Sequence, residues 1–367
     1  MNTKTYLRWF LGTVITAIIA IAGFNAWSDA YILHHPAGPS FQTVSGFERV
    51  LKPAWLDSIK PDTVFIGTSD IRQGFDPVLI DKAYGVHAFN YGFSSVSAYE
   101  ARRMIQDAAA QPKVRAIIVS ANSFANGSIA QPTTGGFDEL RLGVTADGTP
   151  TPRRSLWLFT TRYLSGGATG MHALGLYMLA QLKPGESAAD RPDVFTSYDH
   201  MTKAGFARDM ERRANRSYSL SDWQREQLRA ALDAVCAKPI RLTLFFPPEH
   251  FALVDLYMRN DAAGLIAFKR AVLEEVRAHN QKCGGNAALF DFMTLNGISN
   301  EGPDTTGHYP EYVDLVHFTP RLGTALAGGM LGLRPAPADA DLTDNPNAEA
   351  LIAHLRDDDA FWRSEKR

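Results

Sequence analysis

Two short segments near opposite ends of the chain hold the residue types of nucleophilic catalysis: Gly67-Thr68-Ser69-Asp70 and Asp314-Leu315-Val316-His317. A serine hydroxyl is a poor nucleophile until an imidazole takes its proton, and the imidazole needs a carboxylate at its other nitrogen to set its tautomer. Asp314 and His317 stand on one turn, so the carboxylate can reach one ring nitrogen while the other points outward to a serine. Taken alone, Ser69 is an ordinary helix cap or turn residue, and Asp with His at this spacing is an ordinary surface turn. Ordered together, Ser69, Asp314 and His317 predict a nucleophile, an orienting acid and a general base. That is the chemistry of an ester hydrolase or an acyltransferase.

Residues so distant in sequence need a scaffold that joins them. Five short apolar runs read as buried strands: Thr63–Gly67, Val86–Tyr91, Val114–Ser120, Arg241–Phe246 and Ala287–Phe292. Helical patterns lie between several of them, at Ala98–Ala110, Ser221–Cys236 and Gly264–Asn280. This alternation predicts an α/β fold, a three-layer sandwich around a parallel, flavodoxin-like central sheet of about five strands. In such sheets chemistry collects at the carboxyl ends of the strands. Ser69, Gly92, Asn122, the segment Pro247-Pro248-Glu249-His250 and the loop leading to Asp314 and His317 each follow a strand end.

The blocks Gly67-Thr68-Ser69, Asn90-Tyr91-Gly92, Ser120-Ala121-Asn122-Ser123 and Asp314-Leu315-Val316-His317 resemble, in order, those of the SGNH (GDSL-type) hydrolase superfamily. The resemblance runs from Thr63 to Leu333 around a long unmatched insertion. It implies Ser69 as nucleophile, the Gly92 backbone N–H and the Asn122 side chain as oxyanion donors, and Asp314 with His317 as acid and base. The N-terminal apolar segment and the stretch from Gly67 to Pro77 are similar to the membrane-anchored, exported branch, some members of which O-acetylate cell-surface polysaccharides. Thr68 departs from the family's Asp, and Ser120 and Ser123 from its Gly and Asp. The expected function is therefore a serine-dependent esterase or O-acyltransferase, acetyl being the expected group, on an extracytoplasmic polysaccharide. A non-catalytic exported binding or assembly protein and a lipase-like hydrolase of membrane lipids are the alternatives.

Other polar residues are weighed against that set. Arg72 either holds an acidic group of the substrate or pairs with Asp76, and His250 and Glu249 either line the pocket or form its rim. His308 ranks behind His317 as base, because no carboxylate lies at equally close spacing. No Cys/His cluster has zinc spacing and no glycine-rich phosphate loop is present, so neither a metal nor a cofactor is expected.

The apolar run Trp9–Phe24 carries no charge, follows Lys4 and Arg8, and precedes Asp29. Extended to Trp27, at ~1.5 Å per residue it nearly crosses a hydrocarbon layer of ~30 Å. The positive flank predicts a single-pass anchor in the inner (cytoplasmic) membrane with the rest of the chain exported to the periplasm or cell exterior; a cleaved signal peptide is the alternative. The partners this implies are an acyl ester or polysaccharide substrate and, if the reaction is transfer, a membrane protein as one source of the acyl donor. A formal net charge of −2 and the lack of a basic stripe argue against nucleic acid. Cys236 and Cys283 each lie just before an apolar run; if those runs are neighbouring parallel strands, both thiols share one end of the sheet, and an oxidising compartment would join them as a disulfide. The expected organisation is an anchor at 1–30, the α/β domain at 31–334 with a substrate-shaping cap inserted at about 127–220, and a peripheral tail at 335–367.

Overall fold

The computed structural model describes residues 2–28, 48–125, 133, 135–164, 200–213, 217–293, 299–337 and 339–354. In chain order the elements are α1 (Thr3–Ser28), α2 (Glu48–Ile59), β1 (Thr63–Gly67), α3 (Ser69–Gly74), α4 (Pro77–Tyr84), β2 (Ala88–Gly92), α5 (Ala98–Ala109), β3 (Ala116–Ser120) and α6 (Asn122–Ala125). There follow α7 (Arg153–Leu164), α8 (Lys203–Arg213), α9 (Asp222–Asp233), β4 (Arg241–Phe246), α10 (Phe251–Cys283), β5 (Ala287–Asp291), α11 (Pro320–Met330) and α12 (Ala348–Ala353).

The five strands form one all-parallel sheet in the order β2-β1-β3-β4-β5, the flavodoxin-like order that the alternating pattern predicts. Their apolar runs stay buried because helices cover both faces. Helices α5, α9 and α10 pack side by side over one face, and α4 with α11 over the other. The order reverses between β1 and β3, which pair directly but continue toward opposite edges. That switch point opens a crevice at the carboxyl ends of these two strands. Close approach there requires a glycine: a Cβ on Gly67 would lie 2.6 Å from Ile71 Cγ1 and 2.8 Å from Ser120 Cβ.

Helix starts follow local chemistry. Ser97 and Glu100 form a capping box on α5, and Ser221 and Gln224 form one on α9. Several helical stretches lie outside the predicted patterns, among them α2 with its internal Pro53, α7, α11 and the first part of α10. Helix α10 changes direction at Asp261, whose φ of −152° breaks the helical path. Asp261 Oδ1 then accepts the Gly264 N–H at 2.9 Å and so caps the part that the sequence pattern predicts. At the carboxyl end of β5, Lys269 of α10 reaches both Asp291 oxygens at 3.0 and 2.9 Å with neither side chain exposed, which ties the strand end to the helix.

The insertion divides. Its first part is stitched to the body by two buried arginines. Arg103 of α5 meets Glu139 at 2.7 Å and the Val144 carbonyl at 2.8 Å, while Arg154 of α7 pairs with Asp107 and Asp57. Its last part, α8, packs on the loop holding Asp314 and His317. Among the described residues of the insertion, Met201, α8 and Tyr218 stand beside the site, where a cap would; the apolar stretch Met171–Leu182 lies outside the described residues, as does the tail beyond 354.

Helix α1 is long and apolar enough to cross a membrane. Trp9 and Trp27 are both strongly exposed near its two ends, and they lie about 27 Å apart at ~1.5 Å per residue, a spacing suited to two interfacial belts. At the opposite end of the sheet from the crevice, Cys236 and Cys283 form a disulfide with Cα atoms 5.0 Å apart. It closes a loop of 47 residues, for which chain entropy predicts about 4 kcal/mol. Replacing both cysteines by serine is expected to lower the unfolding free energy by about that amount, read from the urea midpoint of the purified protein, with the fold retained.

Candidate active site

The site begins where β1 ends. Ser69 is the first residue of α3, and its helix is held in place by Asn90 of β2, whose Nδ2 donates to the Ile71 carbonyl at 2.8 Å and the Phe75 carbonyl at 2.7 Å. Beneath it, Ser120 at the end of β3 donates to Asp70 Oδ2, while Asp70 Oδ1 accepts the Ile71 N–H at 2.7 Å. Burial pushes the Asp70 carboxyl up despite these two hydrogen bonds. Ser120 thus supports the carboxyl group next to Ser69.

Across the crevice, residues 312–318 form a tight loop. Tyr312 and Phe318 bridge its base, and the Val313 N–H donates to the His317 carbonyl at 2.9 Å. Within it Asp314 Oδ1 accepts the Val316 and His317 N–H groups at 2.8 and 2.9 Å, and Asp314 Oδ2 lies 2.7 Å from His317 Nδ1. His317 Nε2 lies 2.6 Å from Ser69 Oγ. Three residues separated by 248 positions are therefore joined in one chain of hydrogen bonds.

The protonation pattern follows from the partners. Burial alone would raise the Asp314 carboxyl, but the hydrogen bond and charge of His317, the Val316 N–H and the nearby Arg213 outweigh it and hold the carboxyl down at about 2. An ionised carboxylate only accepts, so Nδ1 must carry the proton. In the neutral ring Nε2 is then the lone-pair nitrogen facing the Ser69 hydroxyl, the arrangement in which that hydroxyl can be deprotonated.

Two contacts on this loop come from an element whose role was not legible in the sequence. Asp209 of α8 accepts the Leu315 N–H at 3.0 Å and the Arg213 Nε–H at 2.8 Å. Arg213 in turn lies 3.5 Å from Asp314 Oδ2. The charged pattern predicts a helix over these residues, but no spacing links position 209 or 213 to position 314. From the other side the His250 backbone N–H donates to the Leu315 carbonyl at 2.8 Å, and the Tyr312 hydroxyl donates to the Pro248 carbonyl at 3.0 Å. The loop is clamped between α8 and the end of β4.

Three expectations need adjustment, while His308 keeps its place behind His317. His250 does not offer its ring to a substrate: Nδ1 accepts the Ala252 N–H at 3.2 Å as the cap of α10, and Nε2 meets the Glu301 carbonyl at 3.0 Å. Packed against Phe206, Tyr309 and Tyr312, the ring is buried, and burial lowers its pKa. Gly92 does not present a free amide, because its N–H donates to Asn90 Oδ1 at 2.9 Å. A Cβ there would lie 2.6 Å from the Arg72 backbone nitrogen, so the glycine lets β2 and the nucleophile's helix touch. Arg72 is only 6% exposed, which withdraws it from the rim, and Asp76 caps the Val78 N–H at 2.8 Å rather than pairing with it. His308 bonds within its own turn, to Thr306 Oγ1 at 2.9 Å, away from the serine.

Asn122 sits at the start of α6 beside the crevice, and its Nδ2 donates to Glu249 Oε1 at 3.0 Å. Glu249 also accepts from the Tyr218 hydroxyl. An amide nitrogen carries two protons, so Glu249 orients the Asn122 amide. The Ser69 N–H, at the first position of α3, has no acceptor within the helix. Both donors follow the carboxyl ends of β1 and β3, which pair directly. One cluster of possible metal ligands occurs among the described residues, Asp233 with His279 and Cys283, but its sulfur is already in the disulfide and Asp233 is bonded to Lys282 at 2.8 Å.

Asp209→Asn weakens the charge-assisted hold on the Leu315 N–H, and the rate of Ser69 labelling by an organophosphorus probe is expected to fall roughly tenfold, the equivalent of ~1.5 kcal/mol. Asp314→Asn should cost far more, about 10⁴-fold, because the amide favours the wrong imidazole tautomer. It also has a signature in acid. The folded-state pKa of about 2 lies below the ordinary 3.8, so ionised Asp314 stabilises the fold above pH 4 and loses that contribution as pH falls from about 4 to about 2. The stability difference between parent and Asp314→Asn, measured by denaturant titration, should shrink over that interval.

Compared with known proteins, the chain matches no family model and no curated protein.

Proposed function

We propose that this chain is a serine-dependent esterase or O-acyltransferase, with acetyl as the group handled, acting outside the cytoplasm on an acylated polysaccharide. The observation that carries this reading is the unbroken path Ser69 Oγ, His317 Nε2, His317 Nδ1, Asp314 Oδ2, with spacings of 2.6 and 2.7 Å across its two hydrogen bonds. The sheet order and the resemblance of the four sequence blocks to SGNH hydrolases support it.

In the proposed reaction the Ser69 hydroxyl attacks the acyl carbonyl as its proton passes to His317 Nε2. The Asn122 amide and the Ser69 N–H stabilise the negative oxygen that forms. Collapse of the tetrahedral species breaks the acyl bond of the donor, and the imidazolium returns its proton to the departing atom, the sugar oxygen in hydrolysis or the carrier's atom in transfer. Asp314, ionised throughout, stabilises the imidazolium in both steps. Water or a second sugar hydroxyl then gives its proton to His317 and attacks the acyl-serine, releasing free acid or a new ester. In the transfer case the donor side requires an acyl-carrying partner in the membrane.

Placement at the inner membrane with the domain exported fits α1 and the basic Lys4 and Arg8 that precede its apolar run. The Cys236–Cys283 disulfide suits an oxidising compartment. Insertion of α8 beside the triad supplies a wall that could accompany an extended polymer.

A fluorophosphonate probe is expected to label the parent protein and not Ser69→Ala, and the parent to release or transfer acetate from an acetylated polysaccharide. Absence of labelling in a correctly folded parent would falsify the reading. Labelling without action on sugar esters, but with action on phospholipid, would move the substrate to lipids.

A further inference from the structure

We propose that α7 is a second membrane contact, an interfacial helix that lays Leu156 and Phe159 on the lipid surface beside the point where α1 leaves it. The inference rests on reading α1 as the membrane anchor and goes beyond it, because α7 belongs to the insertion and is not part of that anchor.

Helix α1 packs against α7. The residues of α1 withdrawn from solvent, Ala22 and Asn25, lie on one side of its last turns, while its neighbours there remain exposed. Asn25 stands two residues before Trp27, the aromatic that marks the outer boundary of the span. The contact therefore falls at headgroup depth rather than in the hydrocarbon centre.

Helix α7 has two different sides. Arg154 is buried in its ion pairs with Asp57 and Asp107, and its Nε donates to the Arg141 carbonyl at 2.9 Å. One turn on, the Trp157 ring lies 5.2 Å from the Arg141 guanidinium. This side is fastened to the domain. On another side Leu156 and Phe159, again one turn apart, are 64% and 56% exposed. Leu140, in the adjoining turn 139–141, is also exposed. Outside α1, the large apolar side chains left exposed among the described residues are Val78, Leu79, Leu140, Leu156, Phe159 and Leu333; half of them gather at α7 and the turn beside it.

The charge of this helix selects lipid as the occupant. Its 12 residues, RRSLWLFTTRYL, contain arginine and no acidic residue. Arg154 is neutralised by Asp57 and Asp107, but Arg153, one turn before Leu156, is exposed, and exposed apolar side chains beside such a cation suit the boundary between acyl chains and anionic headgroups. Two attachments a short distance apart would also stop the domain from swivelling about α1. The restraint passes toward the site through Arg141, whose Nη1 donates to the Arg49 carbonyl at 3.1 Å, and Arg49, whose Nη2 donates to the Ser94 carbonyl at 2.7 Å just beyond β2. The mouth of the crevice is thereby held at a set height and angle over the membrane.

The native cysteines are both in the disulfide, so a single added thiol can be labelled alone. Full-length Leu156→Cys and Phe159→Cys, each carrying an environment-sensitive nitrobenzoxadiazole, are placed one chain per nanodisc of phosphatidylethanolamine and phosphatidylglycerol; Val78→Cys on α4 is the control. For side chains entering ~5–10 Å into the headgroup and acyl boundary, emission should shift to the blue and be quenched about twofold by acyl-chain nitroxide lipids, with shielding from aqueous iodide. Quenching at 156 and 159 no greater than at 78 overturns the proposal. So does shielding that appears only with two chains per disc, which assigns the face to a second copy. Recovery of the chain in carbonate-washed membranes reports α1 separately. Loss of that recovery defeats the anchor and this proposal together, whereas recovery without lipid quenching defeats this proposal alone. An unchanged thermal midpoint for each variant verifies the fold.

Discussion

One imidazole carries the whole arrangement, because a proton can pass from Ser69 to His317 only while both of its ring nitrogens are held, at 2.6 and 2.7 Å, by partners on different elements. A displacement of the loop by an ångström would leave the serine an ordinary hydroxyl. Much of the surrounding structure consists of devices that prevent this. Asn90 pins the nucleophile's helix from β2, Asp209 and the backbone of His250 grip Leu315 from opposite sides, and the Lys269–Asp291 pair secures the end of the strand from which the loop departs.

Several of these devices are buried charges, which are costly to desolvate unless closely paired. Their concentration at the carboxyl edge of the sheet is understandable on geometric grounds. Polar side chains that aim a catalytic group cannot be replaced by apolar packing, which has no direction. At the amino edge, where no aim is needed, a disulfide connects the ends of α9 and α10 near the starts of β4 and β5. The same division runs through the insertion. Arg103 and Arg154 bolt its first part to the outside of α5, whereas Asp209 and Arg213 bring its last part to the triad.

The membrane reading and the site reading meet in the first part of the insertion. Helix α7 touches α1 on one side and, through Arg141 and Arg49, the loop after β2 on the other. On the proposed reading such a bracket would set orientation as well as proximity between the Ser69 hydroxyl and a substrate at the membrane.

The residue pattern by itself determined the fold class, the strand positions to within about two residues, the spanning length of α1 and the choice of Ser69, Asp314 and His317 as side chains that the fold brings together. These follow from local properties: apolar runs, helical periodicity, and a short Asp–His spacing. Tertiary structure alone decided which polar side chains are occupied. His250 and Gly92 follow strand ends as an active-site residue should, yet a helix cap and an Asn90 side chain consume the groups they would have offered. Asp209 and Arg213 carry no spacing signal, because their partners lie on an element far along the chain and meet them only across the folded crevice. Hydrogen-bond capacity is written in residue type, but its allocation depends on distance, and distance between remote elements is set by packing.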